Sequence, residues 1–352
     1  RAIYGDTKKE VQQELAKLQH ANDSGMLCNV DMLNVTAYLT KWLNEAARPS
    51  VCDTTFSNYE AVVNNHISPR IGGIRLQKLT PLHVQSLYSQ MEADKVGGHT
   101  RLLVHIVLHA ALDRAIKWQL VPRNVCDAVE RPVASKADIQ PLTTEQTGTL
   151  FNAVKGNRLE ALYILAVSTG MRLGELFGLQ WSDVDLKAGT VTIHHTLQEL
   201  DGHLKLKEPK TKSSRRKIDL TNVAIVALHD HRKRMMAEGH AGCQWVFCNQ
   251  SGGNLRRSHF HRAEYKPLLK AAGLPAIRFH DLRHTHATIM LSSGENVKVV
   301  SERMGHSSST ITLDTYSHVM PGMQKAAAGR LDSLLTAAAA AQQAMAASVA
   351  SA

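Results

Sequence analysis

Between residues 33 and 128, apolar positions recur at helical spacing. Tyr38, Leu39, Trp42 and Leu43 share one stripe, and Thr36 is placed to cap the helix that carries them. Thr80 followed by Pro81 reads as an N-cap with proline at the first helical position, and Val84, Leu87 and Tyr88 supply the apolar face. Leu103, Ile106, Val107, Ala110 and Ala111 mark a long helix over 99–118. No strand alternation interrupts, so the pattern predicts an all-helical domain of four or five helices over 33–128. Ahead of it, Val11, Leu15 and Leu18 predict a short amphipathic helix over 7–19, broken by the stretch Asn22 to Gly25.

The stretch 129–142 is poor in bulky apolar residues and carries Pro132 and Pro141, the composition of a linker. Thr143 with Gln146 three residues on forms a capping box that starts the next helix. From there the pattern is mixed. Helices are predicted over 144–156 and 158–170, and an alternating strand over 190–195. A hairpin is predicted over 203–220 with its turn around Thr211 to Arg215, then helices over 222–236, 258–272, 281–293 and 296–304. The tail over 326–352 is rich in alanine, which buries little. The expected fold is therefore mainly α, with a small β-sheet or hairpin in a mixed second domain over 143–325.

Composition narrows the partner. Over 352 residues Lys and Arg total 41 against 31 Asp and Glu, a net charge of +10, which favours a polyanion such as nucleic acid. The five cysteines, Cys28, Cys52, Cys126, Cys243 and Cys248, are odd in number and scattered. They argue against a disulfide framework or zinc site and fit a reducing, cytoplasmic setting. No apolar run is long enough to span a membrane, and no signal peptide is visible.

Four segments carry the chemistry: S-T-G-M-R-L-G-E-L at 168–176, P-K-T-K-S-S-R-R-K at 209–217, H-D-L-R-H-T-H-A at 280–287, and M-G-H-S-S-S-T-I-T-L-D-T-Y-S-H at 304–318. Together they resemble the catalytic domain of the tyrosine recombinase, or phage integrase, family. Upstream, Val35 to Pro132 is similar to that family's helical, SAM-like core-binding domain, notably at L-Q-K-L-T-P-L-H-V (76–84) and V-P-R-N-V (121–125). About 300 residues are covered. The resemblance implies a two-domain DNA clamp joined at 129–142. It also implies that 1–25 is the remnant of an arm-binding module, mostly missing here. Residue by residue, it makes Arg172 the first catalytic arginine, His280 and Arg283 the H-x-x-R pair, His306 the histidine of an L-G-H-S segment here written M-G-H-S, and Tyr316 the nucleophile. The family's lysine matches Lys210 best, with Lys212 two residues away, and Glu175 matches an acidic support.

The chemistry agrees with those residue types. Breaking a phosphodiester without a metal or other cofactor needs a nucleophile, stabilisation of charge on the non-bridging oxygens, and a proton for the leaving alcohol. A tyrosine hydroxyl serves as the first. Two guanidiniums, which never lose charge, serve as the second. A lysine supplies the third, and histidines donate to phosphate or move protons. Lys212, Arg215 and Arg216 are further candidates for DNA contact. His280, His284 and His286 lack the H-E-x-x-H order of a zinc helix, so no metal is expected. The implied partners are double-stranded attachment-site DNA, three further copies in a tetramer on synapsed DNA, and a host bending factor or excisionase; the implied location is the nucleoid. Three rival readings stay open: a Xer-type chromosome-dimer resolvase, a type IB topoisomerase-like enzyme, and a DNA-binding protein with a decayed site.

Overall fold

The computed structural model describes residues 7–8, 11–12, 33–134, 139–200, 202–208, 215–316, 328–329, 331–337 and 339–340. The expected helix over 7–19, the centre of the expected linker, the segment 209–214 with Lys210 and Lys212, and most of the alanine-rich tail lie largely or wholly outside the described residues. The chain divides into two units, residues 1–137 and 138–352.

In the first unit, helix α1 (Val35–Trp42) runs on into a π-helical turn, Leu43–Ala47. Its cap is Asn34, whose side chain accepts from the Ala37 amide at 2.8 Å, and not Thr36 as the sequence suggested. Thr36 lies inside the first turn, and its amide is already given to the Gly72 carbonyl at 3.0 Å. Helices α2 (Asp53–Val62) and α3 (Ser68–Ile71) are joined by a second π-helical turn. Helix α4 (Pro81–Ala93) starts as expected, with Thr80 capping and Pro81 at its head; the box is closed by the His83 side chain. Helix α5 (Gly98–Lys117) buries Val104, Val107, Leu108, Ala111, Leu112 and Ala115. The buried stripe is displaced from the predicted one, and Ile106 and Ala110 face outward. Two polar contacts sit within this apolar core: the Tyr38 hydroxyl donates to the Ala111 carbonyl, and Tyr88 pairs with His105 at 2.8 Å.

The second unit is built around helix α7 (Glu160–Thr169), which is apolar on nearly every side and is buried from Ala161 to Val167. Helix α6 (Thr144–Val154) precedes it, with the Thr143–Gln146 capping box formed in both directions. After the short helix α8 (Leu173–Phe177) come β1 (Val184–Asp185), β2 (Thr190–Ile193), β3 (Thr196–Leu200), β4 (His203–Lys207) and β5 (Arg216–Asp219). The predicted hairpin over 203–220 does not form. β4 pairs back on β3, while β5 pairs with β2 in the antiparallel sheet β1-β2-β5. The register gives the reason: Leu200 pairs with His203, and Gly202 between them takes the positive φ that a tight hairpin turn needs. With 203–207 paired to β3, the segment at 216–219 pairs with β2.

Helix α9 (Asn222–Ala237) follows. The helix expected over 258–272 is divided into α10 (Arg257–His259), a π-helical turn at Phe260–Tyr265, and α11 (Lys266–Ala271). Pro267 explains the widening, because it has no N–H to give the preceding turn. Tyr163, Phe260, Tyr265 and Phe279 stack as an aromatic cluster, with neighbouring ring centroids 5.2–6.3 Å apart. Helices α12 (Asp281–Ser292), α13 (Val297–Met304) and α14 (Ser309–Tyr316) complete the unit. Ala287, Leu291, Val300, Met304 and Tyr316 form their common core. Among the described residues no helix is long and apolar enough to cross a membrane.

The capping box at Thr143 supplies a testable figure. Thr143→Ala is expected to destabilise the protein by about 1 kcal/mol, and Thr143→Gly by only about a few tenths. Urea denaturation of the three proteins measures both.

Candidate active site

The site is built on one buried carboxylate. Glu175, 3% exposed, accepts from the Arg172 amide (2.9 Å), Arg172 Nη1 (2.8 Å) and both terminal nitrogens of Arg216 (3.2 and 2.9 Å). The first of these is the capping contact of α8, so the fold of the R-L-G-E turn and the aim of the Arg172 side chain are one arrangement. Burial acts to raise the Glu175 pKa, but Arg216 and then Arg172 outweigh it, and the carboxyl stays ionised below its ordinary range. Arg172 keeps about two-fifths of its side chain exposed, while its Nη2 lies 3.4 Å from the Gly305 carbonyl.

Arg283 is held differently. It projects from the first turn of α12, is 3% exposed, and donates to the Gly170 carbonyl at 2.6 Å and the Met304 carbonyl at 2.5 Å. Burial, followed by the charge of Arg172, lowers its pKa to about 9, which leaves it protonated at neutral pH. The two arginines thus reach the consecutive carbonyls of residues 304 and 305, just ahead of His306. Gly170 and Gly305 make this possible. Both have φ near +65°, and a Cβ on Gly305 would stand 2.7 Å from Arg216 Nη1, while one on Gly170 would stand 2.7 Å from the His286 ring.

Four histidines surround the arginines. His280 keeps an exposed edge, yet desolvation of its inner edge, with His284, Arg283 and Arg172 nearby, holds its pKa down at about 4. His306 is likewise at about 4, through burial and then Arg283, Arg172 and Arg216. Its Nδ1 bonds the Thr312 hydroxyl at 2.8 Å, which fixes the ring from α14. His286 is buried, its Nδ1–H donates to the Val167 carbonyl at 2.8 Å, and burial pushes it to about 4. His284 Nδ1 lies 2.6 Å from the hydroxyl oxygen of Tyr316. Tyr316 closes α14 and is 1% exposed; burial raises its pKa, and Arg283 works against that.

The structure therefore gathers Arg172, Glu175, His280, Arg283, His306 and Tyr316 in one unit, through contacts that link their segments. Lys210 and Lys212 lie outside the described residues. Arg215 is exposed and ion-paired with Glu208. Arg216, a candidate for DNA contact, has a side chain only 7% exposed, and its guanidinium bonds Glu175 and, through Nε at 2.6 Å, the Arg303 carbonyl. Sequence reasoning missed His284 as a partner of Tyr316, although it sits inside the H-D-L-R-H motif. It also missed Arg257, Lys266 and Arg278, which with Arg172 and His280 line a cleft of about 590 Å³. Their only sequence signal was a basic residue on an otherwise ordinary helix or loop.

Comparison with known proteins agrees with this geometry. The profile of the phage integrase family matches residues 140–322, and that of the phage integrase N-terminal SAM-like domain matches 35–91. A "Tyrosine recombinase XerC-like" protein of Caldanaerobacter subterraneus subsp. tengcongensis is 30% identical, covering 94% of this chain and 91% of its own. The ICEBs1 integrase of Bacillus subtilis is 27% identical over 80% of this chain and 78% of its own. Among solved structures, the Tn1549 transposon integrase in complex with transposon right end DNA superposes with a TM-score of 0.73 at 22% identity, over 85% of this chain and 100% of that one. A lambda integrase tetramer bound to a Holliday junction gives 0.62 at 17%, over 87% and 90%. The chain belongs to the phage integrase family, the tyrosine recombinases.

The depressed histidines couple the fold to pH. An unfolded histidine titrates near 6.5, roughly, whereas His280, His286 and His306 do so at about 4 in the folded unit. Between those values the unfolded chain binds protons that the folded chain does not, so stability is full above about pH 6.5 and is lost as pH falls toward 4. The urea midpoint is expected to drop steadily from pH 7 to 4.5; a level midpoint across that window contradicts neutral rings.

Proposed function

We propose that this chain is a site-specific recombinase of the integrase kind. It cuts and rejoins duplex DNA by attack of Tyr316 on a phosphodiester, giving a 3′-phosphotyrosine and a free 5′ hydroxyl. The observation that carries the reading is the convergence of Arg172 and Arg283 on the carbonyls of residues 304 and 305, in the unit where Tyr316 is held by His284. The phosphotyrosine keeps the energy of the broken bond, so rejoining needs no nucleotide cofactor.

The residues divide the work by charge. Arg172 offers an open guanidinium edge to a non-bridging oxygen, and Arg283 adds a second charge fixed by its carbonyl partners. His280 and His306, neutral at pH 7, can donate a ring N–H to phosphate without adding charge. His306 keeps the nitrogen opposite Thr312 for this purpose. Lys210 is the proposed acid for the leaving 5′ oxygen, with Lys212 its rival. The helical unit over 33–128 supplies duplex binding. Leu331, Leu334 and Leu335, all exposed on a described helical stretch, are the apolar anchors by which the tail would join copies in a tetramer. The XerC-like relative favours a second reading, a chromosome-dimer resolvase. An integrase gene is expected to lie beside its own attachment site, and a resolvase gene is not, so sequencing the flanking DNA separates the two.

Tyr316→Phe removes one oxygen and leaves the packing nearly intact. On nicked duplexes made from the DNA flanking the gene, site binding should persist while covalent protein–DNA adducts disappear. Adducts that survive would move the nucleophile elsewhere.

Lys210→Ala should slow cleavage by roughly 10²–10⁴-fold, the range of general acid catalysis. A substrate with sulfur at the bridging 5′ position leaves as a thiolate and needs no proton. It should restore most of the rate to Lys210→Ala, but not to Arg172→Ala or Arg283→Ala, where charge stabilisation is lost. Rescue of Lys212→Ala instead would assign the acid two residues on.

A further inference from the structure

A nucleophile that is 1% exposed cannot hand its proton to water. The phenol of Tyr316 has one polar partner among the contacts of the described residues, His284 Nδ1 at 2.6 Å, with ring centroids 5.7 Å apart. We propose that His284 is the general base of the reaction: its Nδ1 takes the proton of Tyr316 as the phenol oxygen attacks phosphorus. The inference rests on Tyr316 being the nucleophile and adds to that reading a residue that the motif match did not assign.

The surroundings keep His284 able to accept. The charged and titratable groups about it are His280, Asp281, Arg278 and Arg283 on its own helix or the turn before it, Tyr316 on α14, and His306. Burial first, with Arg278 and Arg283, lowers its pKa against the opposing pull of Asp281, so the ring is neutral at pH 7 and Nδ1 carries a lone pair. In the resting site the proton stays on Tyr316, whose own pKa burial has raised. As the O–P bond forms, the phenol oxygen loses its proton affinity, and the proton passes to Nδ1. The 5′ oxygen departs with a proton from the separate acid. On rejoining, the 5′ hydroxyl attacks and gives its proton back to the separate acid, the tyrosine oxygen leaves phosphorus, and His284 returns its proton to that oxygen. One proton leaves Tyr316 and one comes back, with no net change in the enzyme.

The test uses the full chain on the same nicked duplexes, reading covalent adduct formation, with binding by gel shift as the check on folding. His284→Ala should bind normally and form adducts roughly 10²–10⁴-fold more slowly. His284→Asn places an amide oxygen near the position of Nδ1, which can accept a hydrogen bond but not a proton, and it should stay slow. Placing 3,5-difluorotyrosine at position 316, a more acidic phenol, should recover much of the rate lost in His284→Ala and little of that lost in Arg172→Ala. Wild-type speed in His284→Asn would make the contact one of aim alone and overturn the proposal. A faster His284→Ala, or no recovery with the fluorinated residue, would overturn it as well. Adducts persisting in Tyr316→Phe would instead sink the nucleophile reading itself, so the two failures are distinguishable.

Discussion

The catalytic unit depends on how the charge of Glu175 is met. A carboxylate withdrawn from water loses several kcal/mol of solvation, on the order that applies to any buried ion, and removing one partner of such a group costs about 3–5 kcal/mol. Here the partners come from different parts of the chain. Arg172 arrives at the head of α8, and Arg216 arrives on β5. Arg216 also reaches the Arg303 carbonyl on α13, and Arg303 in turn donates to the carbonyls of Asp219 and Ser168. A single carboxylate thereby fixes the sheet, the arginine turn and the last helices against one another. The guanidinium that faces outward is aimed by the same bonds that hold the unit together.

A second constraint follows from crowding cations. Arg172 and Arg216 both act on the Arg283 charge, and Glu175 is the carboxylate that offsets them there. Arginine cannot relieve that repulsion by losing a proton, because its charge is delocalised over the guanidinium. The histidines can, and burial first, with these arginines after it, holds His280 and His306 neutral. The site thus separates two duties. In the proposed reaction, fixed charge would belong to the arginines, while the rings would donate or accept without altering the field that an incoming phosphate meets.

Much of this was legible in the sequence, for reasons that can be named. Capping chemistry is local, so Thr80-Pro81 and Thr143 with Gln146 were placed correctly. The four motif segments singled out Arg172, His280, Arg283, His306 and Tyr316 by their order and spacing, and the structure brings these residues together in one unit. What failed was non-local. The strand at 216–219 was assigned to the wrong partner because periodicity identifies a strand and not its neighbour: β4 pairs with β3 across Gly202, and β5 pairs with β2. Thr36 was preferred to Asn34 as a cap because the docking of its amide on Gly72 cannot be seen in one dimension. Arg216 stands in a run of cations, and only the depth of Glu175 reveals that its side chain turns inward. His284 was hidden for the same reason: its partner lies 32 residues away on another helix.

Gly305 has a consequence for inheritance. Its backbone turn ends α13, its carbonyl meets Arg172, and the place where a side chain would begin is 2.7 Å from Arg216. Positions 175, 216 and 305 are therefore not free to vary one at a time. A methyl group at 305 displaces Arg216, a displaced Arg216 strands Glu175, and an altered residue 175 releases Arg172. Mutations in this corner are epistatic by construction. A lineage that drifts over the surface of the fold is therefore expected to change these three positions together or not at all.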